Sequence, residues 1–221
     1  ENILNDIYTY NNIVGTIERL PDGSVDWDYT GSIDSVHWAN DFCRVYWMDT
    51  LKNAYLSTGN INYSSRFDKD IADFAVNYPA VSGLYVWEHL NAGIRAQKFA
   101  RLFFQFFNSS EFQPATKILM LITMAEHGDY LRYNHRNDGN QKAIELDGLA
   151  RIAVGYPELK NASVWADYVG VEMVKEANIQ VYPDGVQYEL SFSYHSGVAG
   201  DFSGIADELQ NGGYTVNPVL D

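Results

Sequence analysis

Apolar positions organise this chain into helices from about residue 34 onward. Val36, Phe42, Val45, Tyr46, Met48, Leu51 and Tyr55 recur at three-to-four spacing, which is one face of a helix. Ser32 or Asp34 is a suitable N-cap, and Gly59 ends the run. The same period predicts helices over Ser64–Val76, Tyr85–Phe107 and Pro114–Glu126. His127-Gly128-Asp129 reads as a break, and residues 132–140 as a polar loop. Further helices are predicted over Gln141–Val154, Glu158–Ala177 and His195–Gln210. Pro157 suits the first turn of the second of these. Residues 1–31 carry few helical signals. Ile13–Ile17 is extended in character and Pro21-Asp22-Gly23 is a turn signal, so this part reads as a short hairpin or an irregular arm. The tail after Gly212 reads as frayed.

Helices of about 12–22 residues with short connections pack most economically as antiparallel hairpins. The fold class expected is therefore all-α. No strict repeat is visible, which disfavours a regular solenoid, and the pattern leaves bundle and ring equally open.

The 221 residues suffice for a full hydrophobic core. No apolar run approaches the roughly 20 residues of a membrane span. A start at Glu1, without Met or a leader, reads as a processed or trimmed product. The net charge of −14 repels polyanions and argues against nucleic acid. An anionic polysaccharide would need a local basic cleft. Arg95, Lys98, Arg101, Arg132, His135, Arg136 and Lys142 are the candidate cations, the last four forming a strip. Cys43 is the only cysteine, so no internal disulfide forms, and a small buried hydrophobe is its simplest role. Sixteen tyrosines and five tryptophans suit sugar stacking and core packing alike.

GxSxG, HExxH, Walker and GxGxxG patterns are absent. His127 and His135 are too isolated to suggest a metal site. Glycoside hydrolysis needs only two acids brought together by the fold, and Asp147 and Glu189 are the pair to consider. Two segments stand out. The polar loop Asn134–Gln141 opens a helix, where amides and helix N–H groups receive anions. The segment Gly185–His195 sets Tyr194 beside His195 after a turn.

These segments carry a family resemblance. The matching text is Gly139-Asn140-Gln141, Leu149-Ala150, Tyr156-Pro157-Glu158-Leu159-Lys160, Trp165, Gln180 through Leu190, and Tyr194-His195. Upstream, Trp87 through Arg95 and the stretch Trp38–Gly59 also fit. The chain resembles the heparinase II/III family of polysaccharide lyases over most of residues 25–210. The resemblance implies an incomplete (α/α) toroid, with residues 32–221 as the lyase domain behind the arm. It implies β-elimination on a uronic-acid-containing polysaccharide, a heparan-sulfate-like glycosaminoglycan or alternatively alginate or another acidic chain. A non-catalytic carbohydrate-binding helical domain is the other reading of the same fold. Asn140 matches the family residue that neutralises the uronate carboxylate, and Tyr194 the one assigned to proton transfer. His89, Arg95, His135, Arg136, Gln141, Gln187 and His195 are the substrate-binding candidates. Some relatives carry His directly after the Asn, where this chain has Gln141. Complete members continue into a β-sandwich domain that contributes a further His and often a metal site. No cofactor is expected within this chain, and a bacterial periplasmic or secreted location follows from the family.

Overall fold

The computed structural model describes residues 2–17, 19–28, 36–81 and 83–217. The N-cap expected at Ser32 or Asp34 lies outside the described residues. The chain forms two compact units, residues 1–91 with 98–124, and residues 92–97 with 125–221. Both are mainly helical, as the spacing predicts. Among the described residues no helix is long and apolar enough to cross a membrane.

The first unit opens with a hairpin of β1 (Ile7–Tyr10) and β2 (Ile13–Thr16), antiparallel with Ile7 opposite Thr16. Asn11 and Asn12 both take positive φ at its turn, the backbone that matches strand twist in a two-residue loop. Pro21-Asp22-Gly23 makes a second turn, closing a bridge between Arg19 and Val25. Arg66 fastens the hairpin to the helices. Its guanidinium donates to Asp6 (2.5 Å), Tyr8 Oη (2.8 Å), the Ile3 carbonyl (2.8 Å) and Asp70 (2.5 Å).

The predicted helix through Val36–Gly59 is two helices, α1 (Val36–Cys43) and α2 (Tyr46–Thr58). Val45, fully buried, sits in the left-handed region between them with φ 55°. In one straight helix Phe42 and Trp47 would face roughly 140° apart. The break instead stacks them at 6.1 Å, and both stack on Trp27. Burial of this aromatic cluster offsets the strain of a β-branched residue at positive φ. Cys43 is buried and its thiol donates to the Trp27 carbonyl. Gly59 ends α2 as expected, with φ 66°. Asn60 then caps α3 (Ile61–Asn77) by accepting from the Asn62 N–H, so α3 begins before Ser64. A 3-10 turn over Tyr85–Trp87 precedes α4 (His89–Phe106), which Glu88 caps.

The largest departure from the sequence pattern is α5 (Pro114–Tyr133), which runs straight through His127-Gly128-Asp129. His127 is buried and its Nε2 accepts from Arg95 Nε at 2.9 Å. Gly128 is there for clearance, since a Cβ would lie 2.6 Å from the Trp165 ring. A glycine that reads as a helix stop is thus a close-packing site.

In the second unit α6 (Asn140–Gly155) packs against both α7 (Ala162–Gln180) and α8 (Phe192–Asn211). A turn at residues 156–161 replaces the predicted start of the sixth helix at Glu158: Leu159 donates to the Tyr156 carbonyl and Ala162 to that of Leu159. Gly148 meets α4 at the backbone, where a Cβ would lie 2.4 Å from the Gly93 carbonyl oxygen. Gly148→Ala is therefore expected to cost about 1–3 kcal/mol, as overpacking does. The melting temperature should fall by several degrees. Gly170→Ala, which meets only Leu209 at 3.8 Å, should be neutral or stabilising. Equal thermal melts for the two variants would refute this reading of the α4–α6 contact.

Candidate functional site

A polar cavity of about 380 Å³ opens at the start of α6, lined by residues 136–141 together with Tyr188 and Glu189. Two local features build it. Gly139, at φ 91°, turns the chain into α6 where a Cβ would stand 3.3 Å from Tyr188 Oη. From the other side, the link between α7 and α8 folds back on itself. Val181 and Gln187 bridge, Gly185 takes φ 87°, and Asp184 accepts from the Val186 N–H.

Asn140 is the first residue of α6, half-buried, and its Nδ2 donates to Glu189 Oε1 at 2.7 Å. Gln187 is buried. Its Nε2 donates to the same carboxylate oxygen (3.2 Å) and its Oε1 accepts the Glu189 N–H (2.9 Å). The Gln187 backbone N–H donates to His195 Nδ1 at 3.3 Å. A neutral His195 therefore carries its proton on Nε2. Hydrogen bonds thus run from Asn140 to the segment that carries Tyr194, through two residues of the Gly185–His195 stretch. Tyr194 lies on the first turn of α8 and is 51% exposed. The first N–H groups of α6 and the positive end of its dipole favour an anion in this cavity.

The strip of cations expected near the cavity is mostly consumed within the protein. Lys142 is buried between Glu172 and Glu176, both at 2.9 Å. Burial works to lower its pKa, but hydrogen bonds to the two glutamates hold it above the ordinary lysine value. Glu172 shifts down despite burial, because Lys175 and Lys142 both donate to it. Arg132 lies 3.5 Å over the ring of Tyr168. His135 uses both ring nitrogens, Nδ1 on the Arg136 carbonyl (2.6 Å) and Nε2 on the Tyr168 hydroxyl. That hydroxyl's pKa is raised by burial and then by Glu172. His135 therefore braces the loop. Of the seven candidate cations, Arg136 lines the cavity, with Nε donating to Gln141 Oε1 at 2.9 Å. Its backbone N–H is anchored on Glu145.

Arg95 is fully buried on His127, which corrects the expectation that it presents charge to a ligand. Lys98 and Arg101 both pair with Asp49 in the first unit. His89 belongs to that unit as well, 3.0 Å from Glu88. The five tryptophans are all buried, so they are core material and offer no sugar platform. Asp147 sits seven residues along α6 from Asn140, about 10 Å by helix rise. It is buried and paired with Arg151, while Glu189 is tied to Asn140, so each of the two acids is engaged by its own partner. The sequence reading missed Glu189 as the partner of Asn140. The only available signal was its place between Gln187 and Tyr194. Among the described residues no three His, Cys, Asp or Glu side chains gather as a metal site.

A helical fold with an amide-lined cavity at a helix start, hydrogen-bonded through Glu189 and Gln187 to the segment that carries Tyr194 and His195, is the class this fold and site define. The model of the heparinase II/III N-terminus matches residues 3–217, and the chain belongs to that family. It is 31% identical to a heparin-sulfate lyase of Pedobacter heparinus, over 69% of this chain and 24% of that protein. A heparin-sulfate lyase of Bacteroides thetaiotaomicron is 26% identical, over 82% of this chain and 26% of that protein. The chain thus spans about a quarter of the length of these relatives. Its fold is that of a heparinase III crystal structure, with TM-score 0.83 and 23% identity over 93% of this chain and 32% of that one.

Proposed function

We propose that this chain supplies the helical half of the active site of a polysaccharide lyase. The substrate is a uronic-acid-containing chain of heparan sulfate type, cleaved by β-elimination. The hairpins close part of an (α/α) toroid, and a C-terminal β-sandwich domain of the family's kind completes the cleft. The protein works in the bacterial periplasm or outside the cell. No metal is assigned to residues of this chain.

In the elimination, a base takes the proton from C5 of the uronate and the electron pair is delocalised onto the adjacent carboxylate. The pair then forms the C4–C5 double bond as the C4–O4 bond breaks, and an acid protonates the departing O4. Negative charge develops on the uronate carboxylate as C5 is deprotonated. Hydrogen-bond donors fixed there in advance stabilise it. The second N–H of the Asn140 amide and the first N–H groups of α6 fill that role. Tyr194 transfers the proton. A phenol ordinarily loses its proton near pH 10, so it serves readily as the acid, and as a base only with positive charge nearby. Arg136 is the cation at the cavity.

One observation carries the reading. The hydrogen bonds Asn140–Glu189, Glu189–Gln187 and Gln187–His195 join the two segments that the elimination needs together. With Asp138 and Glu189 beside a single arginine, the cavity favours a sparsely sulfated uronate over a densely sulfated one. An ultraviolet assay for the unsaturated product on a panel of uronate polysaccharides tests the proposal. It compares this chain with a form extended by the β-sandwich domain. Absorbance is expected with the extended form, and most strongly on weakly sulfated heparan. No absorbance from either form on any substrate would overturn the proposal.

A further inference from the structure

We propose that Glu189 is a positioning residue for Asn140, held by a closed circuit of buried polar side chains; the inference rests on the lyase reading above. The two ends of an asparagine amide have nearly the same shape, and only their partners decide which way the group faces. A carboxylate accepts and cannot donate, so Glu189 Oε1 at 2.7 Å selects the Nδ2 end of Asn140. One N–H is spent on Glu189 and the second is left for a ligand. Without that carboxylate the amide can flip and present its oxygen to the uronate carboxylate, which repels it.

What lies behind Glu189 is built to keep it still. Gln187 clamps residue 189 twice, by donating to the carboxylate and by accepting the backbone N–H. Its Nε2 also reaches Gln180 Oε1 at 3.4 Å. Gln180 donates to Glu176 at 2.9 Å, and Glu176 meets Lys142 at 2.9 Å. Lys142 also donates to the Asn137 carbonyl and lies on α6 two residues after Asn140. The circuit therefore starts and ends on the first turn of the same helix. Gln187, Gln180, Glu176 and Lys142 are all buried, and buried polar groups linked in this way favour one arrangement. A carboxylate at the rim of an anion site costs affinity for the anion. Its placement there makes sense as the orienting partner of the amide.

The test measures unsaturated-product kinetics for Glu189→Ala, Glu189→Gln, Asn140→Ala and the double variant Asn140→Ala/Glu189→Ala, in the form extended by the β-sandwich domain. Glu189→Ala should lower kcat about 10- to 100-fold with KM changed less than about threefold, the size of effect that small misplacement produces. Glu189→Gln, whose Oε1 still accepts, should recover most of the loss. In the Asn140→Ala background Glu189→Ala should add nothing, because the two act as one unit. The Asn140 side-chain amide signal in a nitrogen-resolved NMR spectrum should move on Glu189→Ala, with the melting temperature showing that the variant folds.

A wild-type kcat for Glu189→Ala, or an undiminished further loss on top of Asn140→Ala, would overturn the positioning role and leave the lyase reading standing. Absence of product from the wild type would overturn the lyase reading and the positioning role with it, whereas full activity of Asn140→Ala would leave the lyase reading standing and overturn the roles of Asn140 and Glu189. An unmoved Asn140 amide signal would overturn the hydrogen bond itself.

Discussion

Tyr194→Phe is expected to lower the rate of unsaturated-product formation by about 10²–10⁴-fold, the usual contribution of a positioned proton-transfer group. The substitution removes one oxygen and keeps the ring. Tyr194 is half exposed on the first turn of α8, so nothing buried loses a partner and the fold should be unaffected. Binding of an oligosaccharide, read by calorimetry, should stay within about threefold, since the hydroxyl acts mainly in the transition state. The pair of measurements separates a lyase from a domain that only binds sugar. A lyase loses rate and keeps affinity. A rate within about threefold of wild type would remove Tyr194 from the proton-transfer role.

Arg66→Ala should produce the largest loss of stability, about 3–5 kcal/mol, because it leaves an uncompensated charge in the interior. Asp70 is 1% exposed and pairs with Arg66 at 2.5 Å. The same guanidinium holds Asp6, Tyr8 and the Ile3 carbonyl, so the N-terminal hairpin loses its anchor in the same step. For a domain of this size each kcal/mol moves the melting temperature by about 2–4 °C, which predicts a drop on the order of 10 °C. Arg19→Ala is the contrast. Arg19 pairs with the same Asp6 at 3.0 Å but is well exposed, and such pairs contribute at most about 1 kcal/mol. Similar thermal melts for the two variants would show that burial does not set the value of these pairs.

The hairpin illustrates how local signals translate into structure. Extended character at Ile13–Ile17 and the Pro-Asp-Gly turn are both present where the sequence places them. The strand partner is not the one the second turn suggests, because two asparagines at positive φ close a tighter loop first. The helices follow the same pattern of success and failure. Gly59 ends one helix by local chemistry where the sequence places the end, while the next begins under the Asn60 cap, ahead of the Ser64 start that the apolar spacing suggests. Gly128 and Val45 mislead for a shared reason. Their backbone states answer to Trp165 and to the Trp27 stack, partners far away in sequence.

The candidate site divides in the same way. Asn140 at a helix start and Tyr194 after the Gly185 turn are legible in residue order. That Glu189 and Gln187 link Asn140 to the segment carrying Tyr194, and that Lys142 and His135 brace the loop rather than face a ligand, depends on which helices pass behind. Net charge is a sum over the chain and says nothing of such pairing.

By itself, the sequence determined the helical period, most helix ends, the Pro-Asp-Gly turn of the arm and the family text around Asn140 and Tyr194. These depend on neighbours within a few residues, where propensity and capping act. Tertiary structure alone decided that α5 runs unbroken, that the tryptophans are core, that most of the candidate cations are engaged within the protein and that one carboxylate orients Asn140. Each of these is a contact between residues distant along the chain. Its energy depends on burial and on the partner's geometry, and neither exists until the helices pack.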